Sequence, residues 1–180
     1  MKWYGFAAIF IICLFFSNIL YSVRLSYTGQ NAFIEKKFPL PETSLKIFNR
    51  PNAVLSAESI PKQPLILFFF ASWCKPCLYE TPIIKKLSKR NDVPFIGIAV
   101  RDDEKRLQDF LNKFENPFQY VALDPEMDWT GTMHAGTLPT AFILNHKGEV
   151  VAKINHIITE DFYFKTIFPF LQELKRAASL

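Results

Sequence analysis

Cysteine is scarce in this 180-residue chain, which has only Cys13, Cys74 and Cys77. One local pair and one isolated residue make no structural disulfide framework, so a disulfide-stapled scaffold is excluded and the pair reads as reactive. An excess of one charge is lacking as well. A net charge of +4, spread along the chain, offers no basic tail or patch and argues against nucleic acid as a partner. From Trp3 to Val23 charge is missing altogether. No small-x-small cleavage site follows that run, because Ile19-Leu20-Tyr21-Ser22-Val23-Arg24 is bulky, which favours a retained anchor over a cleaved signal peptide. Cys13 lies mid-run behind Ile12, which excludes a lipoprotein cysteine and leaves an ordinary lipid-facing residue.

The uncharged run is rich in Phe, Ile, Leu and Ala. As a helix rising about 1.5 Å per residue it spans roughly 30 Å, the thickness of a bilayer core. Trp3 and Tyr4 at one end, with Tyr21 and Tyr27 near the other, suit interfacial positions. The sequence therefore predicts three parts: a single transmembrane anchor over 1–23, a polar linker over 24–37, and one domain over 38–180. Lys2 precedes the run and Arg24, Lys36 and Lys37 follow it, so the positive-inside rule barely sets an orientation. Of the 19 phenylalanines, four lie in the first twenty residues and three form Phe68–Phe70, which points to membrane and core rather than a base-stacking surface.

Leu65–Phe70 is apolar on both faces, as a central strand covered by helices must be. The pattern continues with a helix over 75–90 that Pro82 is expected to kink near its second turn, a buried strand over 94–100, and a helix over 102–115 opened by acidic residues. A short extended piece over 117–123 and a helical or looped stretch over 124–134 follow. Strands over 140–144 and 149–154 are joined by the hairpin signal Asn145-His146-Lys147-Gly148. An amphipathic helix over 159–175 ends the series, with Phe162, Ile167, Phe168, Phe170 and Leu171 as packing candidates. The order predicts an α/β fold: a mixed sheet, part parallel and part antiparallel, between helices.

The central strand empties into Trp73-Cys74-Lys75-Pro76-Cys77. A cysteine at a helix N-terminus meets free backbone N–H groups and the positive end of the dipole, which favour a thiolate. Cys74 is therefore expected to attack, aided by the charge of Lys75. Pro76 stiffens the first turn, and Cys77 is expected to resolve the mixed disulfide. Glu80, three residues beyond Cys77 and flanked by apolar residues, is either a proton carrier for the buried thiol or a surface carboxylate suited to the helix dipole. Pro139, before the strand over 140–144, is either a cis proline or an ordinary trans proline at a strand start. If it packs against the cysteines, the backbone of Leu138 can pair with an extended substrate. Trp73, Leu138 and Pro139 are the substrate-binding candidates. A disulfide-exchanging domain tied to a membrane belongs on the oxidising side, facing the periplasm from the inner membrane.

Over residues 38–176 the chain resembles the thioredoxin superfamily, and within it the membrane-anchored cytochrome c maturation proteins of the DsbE/CcmG type, with ResA and TlpA as relatives. The residues that carry the resemblance are the strand into Trp73–Cys77, Glu80, Pro82, Ile96-Gly97-Ile98, Arg101-Asp102-Asp103, Asn116-Pro117-Phe118, Leu138-Pro139-Thr140, Phe142 and Gly148. The resemblance implies a thioredoxin-like fold with a Cys74–Cys77 redox disulfide, Glu80 as the acid beside it, and a cis Pro139. It also implies a reductase of apocytochrome c or of the haem-ligation apparatus, supplied by a membrane thiol reductant and needing no cofactor. Two departures stand out. Gly136-Thr137-Leu138-Pro139-Thr140 is closer to ResA and TlpA, with Thr140 where DsbE/CcmG proteins usually carry Glu. Phe68 occupies the position of the buried Asp of ordinary thioredoxins, leaving Glu80 as the nearby acid. The alternatives are a general extracytoplasmic reductase, oxidase or isomerase and, in another class, a copper chaperone joining His134 to the cysteines; CxxC instead of CxxxC weighs against the chaperone.

Overall fold

The computed structural model describes residues 33–90 and 92–178. The expected anchor over 1–23, with Cys13, and the linker as far as residue 32 lie outside the described residues. Among those described, no helix is long and apolar enough to cross a membrane.

One sheet holds β1 (Phe33–Phe38), β2 (Leu45–Ile47), β3 (Val54–Leu55), β4 (Leu65–Phe70), β5 (Phe95–Val100), β6 (Val121–Asp124), β7 (Thr140–Leu144) and β8 (Val150–Ile154). The spatial order is β1-β8-β7-β4-β5-β6-β2-β3. Pairings β4–β5 and β5–β6 are parallel and the rest antiparallel, so the sheet is mixed as expected. Helix α1 (Lys75–Ser88) connects β4 to β5, α2 (Glu104–Lys113) connects β5 to β6, and α3 (Asp128–Thr132) follows β6. The chain ends in α4 (Glu160–Phe162), a π-helical turn (Tyr163–Ile167) and α5 (Phe168–Ala177).

Every residue of β4 is buried, because its two faces feed two cores. Ile66, Phe68 and Phe70 pack with Ile84 and Leu87 of α1, Phe110 of α2, and Ile167 and Leu171. Leu65, Leu67 and Phe69 pack on the other side with Ile60, Trp129 and Met133. Each such side chain contributes about 1.5–3 kcal/mol by leaving water. The strand whose end carries the cysteines is thus held on both faces.

Gly97 of β5 faces the first core. A Cβ there would lie 2.8 Å from Phe70 Cε1 and 3.0 Å from Cγ and Cδ2 of Phe118, whose ring stacks on Phe70 at 4.8 Å. Because both rings are fixed by packing, Gly97→Ala is expected to lower stability by about 1–3 kcal/mol, read as a shift in the urea unfolding midpoint.

Several boundaries differ from the expected ones. The stretch read as linker to residue 37 contains β1 from Phe33 onward, paired antiparallel with β8. β2 and β3, of three and two residues, are too short for periodicity to reveal. Helix α2 starts at Glu104 rather than 102, since Asp103 is its N-cap and accepts from Arg106 N at 3.0 Å. Helix α1 ends at Ser88 rather than 90, with Pro82 inside it as expected. The expected terminal helix over 159–175 is broken instead: Thr159 caps α4, and Phe168 N–H reaches back to Tyr163 O. Pro169, in the first turn of α5, has no N–H to extend an ordinary ladder backwards. Ile167 and Leu171 are fully buried, while Phe162, Phe168 and Phe170 are partly so.

Candidate active site

Where β4 ends, the chain turns through Ala71, Ser72 and Trp73, and Cys74 becomes the N-cap of α1. Cys74 and Cys77 are joined as a disulfide, with Cα atoms 5.3 Å apart. Cys74 Sγ also accepts the Cys77 N–H at 3.3 Å, so the first sulfur already occupies the anion-favouring end of the helix. Cys77, one turn in, has no exposed surface, and Cys74 retains 4%. Only Cys74 borders the groove of ≈ 420 Å³ beside the motif, formed with Trp73, Pro76, Met127 and Leu138 and flanked by Lys75 and Arg101. The Leu138–Pro139 bond is cis. Thr140 Oγ1 donates to Thr137 O at 2.5 Å, closing this turn just before β7. Trp73, Cys74 and Leu138 thus meet in one groove, with Pro139 directly behind Leu138.

Glu80 is wholly buried on the same inward face of α1 as Cys77. Its Oε1 accepts the Ile158 N–H at 2.8 Å, while Oε2 has no hydrogen-bond partner. Burial raises its pKa to about 8, against which the Ile158 N–H acts weakly in the lowering direction. Such a carboxyl exchanges protons in the range where thiols do. Its partner lies in the β8–α4 connection, 78 residues away in sequence, which no local pattern reveals. His134 is exposed and outside the groove, with its carbonyl taken by Lys153 Nζ at 2.7 Å.

Two residues missed as site residues hold the redox loop. Asp102, just past β5, accepts from Ser72 N and Ser72 Oγ, each at 2.5 Å. Trp73 Nε1 donates to Arg101 O at 3.1 Å, with Arg101 at φ 46°. The motif Arg101-Asp102-Asp103 was the available signal, although nothing local says that it meets Ser72.

Comparison with known proteins agrees with this geometry. The Redoxin family model matches residues 35–165. The DsbE homologue of Paracoccus denitrificans, a thiol:disulfide interchange protein, is 31% identical over 134 residues, or 71% of this chain and 69% of its own. The thiol-disulfide oxidoreductase ResA of Bacillus cereus is 33% identical over 103 residues, or 56% of this chain and 59% of its own. A secreted Mycobacterium tuberculosis disulfide oxidoreductase homologous to Escherichia coli DsbE superposes with a TM-score of 0.60 at 20% identity, covering 73% of this chain and 96% of its own, which speaks for the fold alone. A buried disulfide at a helix N-terminus, on a thioredoxin-like sheet matched in this way, places the chain in the Redoxin family, among the thiol:disulfide oxidoreductases of the DsbE type.

Proposed function

We propose that the domain reduces protein disulfides, with Cys74 attacking, Cys77 resolving and Glu80 carrying the proton. The observation behind this is the asymmetry of the pair: Cys74 borders the groove, while Cys77 is sealed beneath it near a buried carboxyl. The Cys74 thiolate attacks one sulfur of a substrate disulfide, that S–S bond breaks, and the departing sulfur takes a proton from solvent. Glu80, as carboxylate, accepts the Cys77 proton, and the Cys77 thiolate attacks Cys74 Sγ. The mixed disulfide breaks, the second substrate thiol leaves, and the enzyme is left in its disulfide form. Two electrons pass to the substrate, and a membrane thiol reductant must return them. Trp73, Leu138 and Pro139 bind the substrate chain, with the exposed Trp73 ring as its apolar platform.

Apocytochrome c is the substrate that the resemblance favours, through Arg101-Asp102-Asp103 and Asn116-Pro117-Phe118. The test is reduction of a peptide whose Cys-x-x-Cys-His haem-attachment segment is oxidised, in competition with insulin. Preference for the peptide supports a cytochrome c maturation reductase; equal rates support a general extracytoplasmic one. Residues 1–23 then serve as the anchor and 24–32 as the tether, placing the domain on the periplasmic side of the inner membrane. The full chain is expected to stay in the membrane fraction after a carbonate wash, whereas release as a shortened soluble form would show cleavage.

A further inference from the structure

The disulfide can fix Cys74 only while it exists. Once reduced, Cys74 depends on the loop preceding α1 to stay at the helix N-terminus, and that loop is gripped from outside the helix. Both carboxylate oxygens of Asp102 are engaged by Ser72, one by its backbone N–H and one by its hydroxyl, each at 2.5 Å. The neighbouring Arg101 carbonyl takes the Trp73 indole N–H at 3.1 Å. The grip is itself anchored. Arg101 N donates to Asp124 O at 3.2 Å, and buried Asp124 accepts from Thr130 N at 2.8 Å and from Thr130 Oγ1 at 2.6 Å. On the other side Asp103 caps α2. Arg101 holds a left-handed φ of 46°, a conformation that costs a non-glycine residue energy and persists where the surroundings over-determine it.

We propose that Asp102 is a positioning residue for Cys74: its carboxylate clamps Ser72 and so keeps the reduced Cys74 sulfur at the N-terminus of α1. The idea rests on Cys74 being the attacking cysteine. The charged groups around that sulfur are Lys75 and Arg101 beside the groove, Asp102 behind Ser72, and Glu80 on the Cys77 side. Removing Asp102 therefore has two opposed effects. Losing its negative charge lowers the Cys74 thiol pKa, and losing the clamp raises it by letting the sulfur drift from the helix N–H groups.

Two variants of the full chain separate them. Asp102→Asn removes the charge but keeps an amide able to bond Ser72, whereas Asp102→Ala removes both. The measurements are thiolate ultraviolet absorbance against pH, alkylation rate at Cys74 against pH, and kcat/KM for insulin reduction. The expected result is a Cys74 pKa higher in Asp102→Ala than in Asp102→Asn, with kcat/KM lower by about tenfold, the scale of one part-buried hydrogen bond to a charged group lost. Ser72→Ala, which keeps the Asp102 charge and the Ser72 N–H bond but loses the hydroxyl, is expected to titrate above Asp102→Asn. Identical titrations and rates in the Asn and Ala variants overturn the proposal, even if Asp102→Ala is less stable. If alkylation finds Cys77 to be the low-pKa thiol instead, the attacking-cysteine reading fails, and that result is distinct from failure of the clamp.

Discussion

Replacing Cys74 by serine is expected to bring disulfide reduction down to the uncatalysed level, while Cys77→Ser keeps the first step and stops at the second. The difference follows from position. Cys74 Sγ borders the groove and sits at the N-cap of α1, so its thiolate is both stabilised and reachable. A serine hydroxyl in its place does not ionise there and forms no mixed disulfide. Cys77 has no surface to present to a substrate and can act only on Cys74, one turn away. Without it the mixed disulfide persists, and a non-reducing gel of Cys77→Ser mixed with an oxidised peptide should show a covalent adduct that dithiothreitol releases. An adduct formed by Cys74→Ser, with none from Cys77→Ser, would exchange the two roles.

The second large effect is expected at Glu80. Its pKa of about 8 in the folded disulfide form lies far above the ordinary 4.5, because burial disfavours the charged carboxylate. Between these values the folded chain keeps a proton that the unfolded chain releases, so unfolding gains as pH rises. Through this group stability declines from about pH 4.5 to about 8 and then levels off. Glu80→Gln keeps the size of the side chain and an acceptor for Ile158 N–H but cannot ionise. Its stability relative to the wild type should rise across that window by an amount on the order of a few kcal/mol, read by urea unfolding at a series of pH values. The same substitution should slow resolution of the mixed disulfide by about 10²-fold, the lower end for general acid–base catalysis. Resolution with an unaltered rate and pH profile would reduce Glu80 to a buried structural carboxyl.

These two predictions draw on different kinds of information. The strand-to-helix junction carrying Cys74 was legible because each of its signals is local. An apolar run, a proline in the first helical turn and two cysteines one turn apart act through neighbouring peptide units. The hairpin at Asn145–Gly148 was legible for the same reason, with Gly148 at φ 81° as the turn requires. Hidden from sequence were β1, β2 and β3, which exist only through pairing with β8, β6 and β2 respectively. The break in the terminal helix was also hidden, since the apolar spacing of 159–175 reads as continuous and only the backbone shows the π-helical turn at Tyr163–Ile167.

By itself the sequence determined the chemistry: a paired thiol at a helix N-terminus, with a carboxyl one turn further on. Three matters were decided only by tertiary structure. Glu80 is sealed under the Ile158 connection instead of facing water, the Leu138–Pro139 bond is cis where the segment alone allowed either form, and Asp102 grips Ser72 from the loop after the neighbouring strand. The physical reason is range. Helix caps, dipoles and turn residues work within about one turn of chain, whereas burial and cross-strand hydrogen bonds depend on which distant segments the sheet brings together. Those distant segments leave one sulfur bordering the groove, seal the other beneath it, and hold one turn further on a buried carboxyl whose pKa is near that of a thiol.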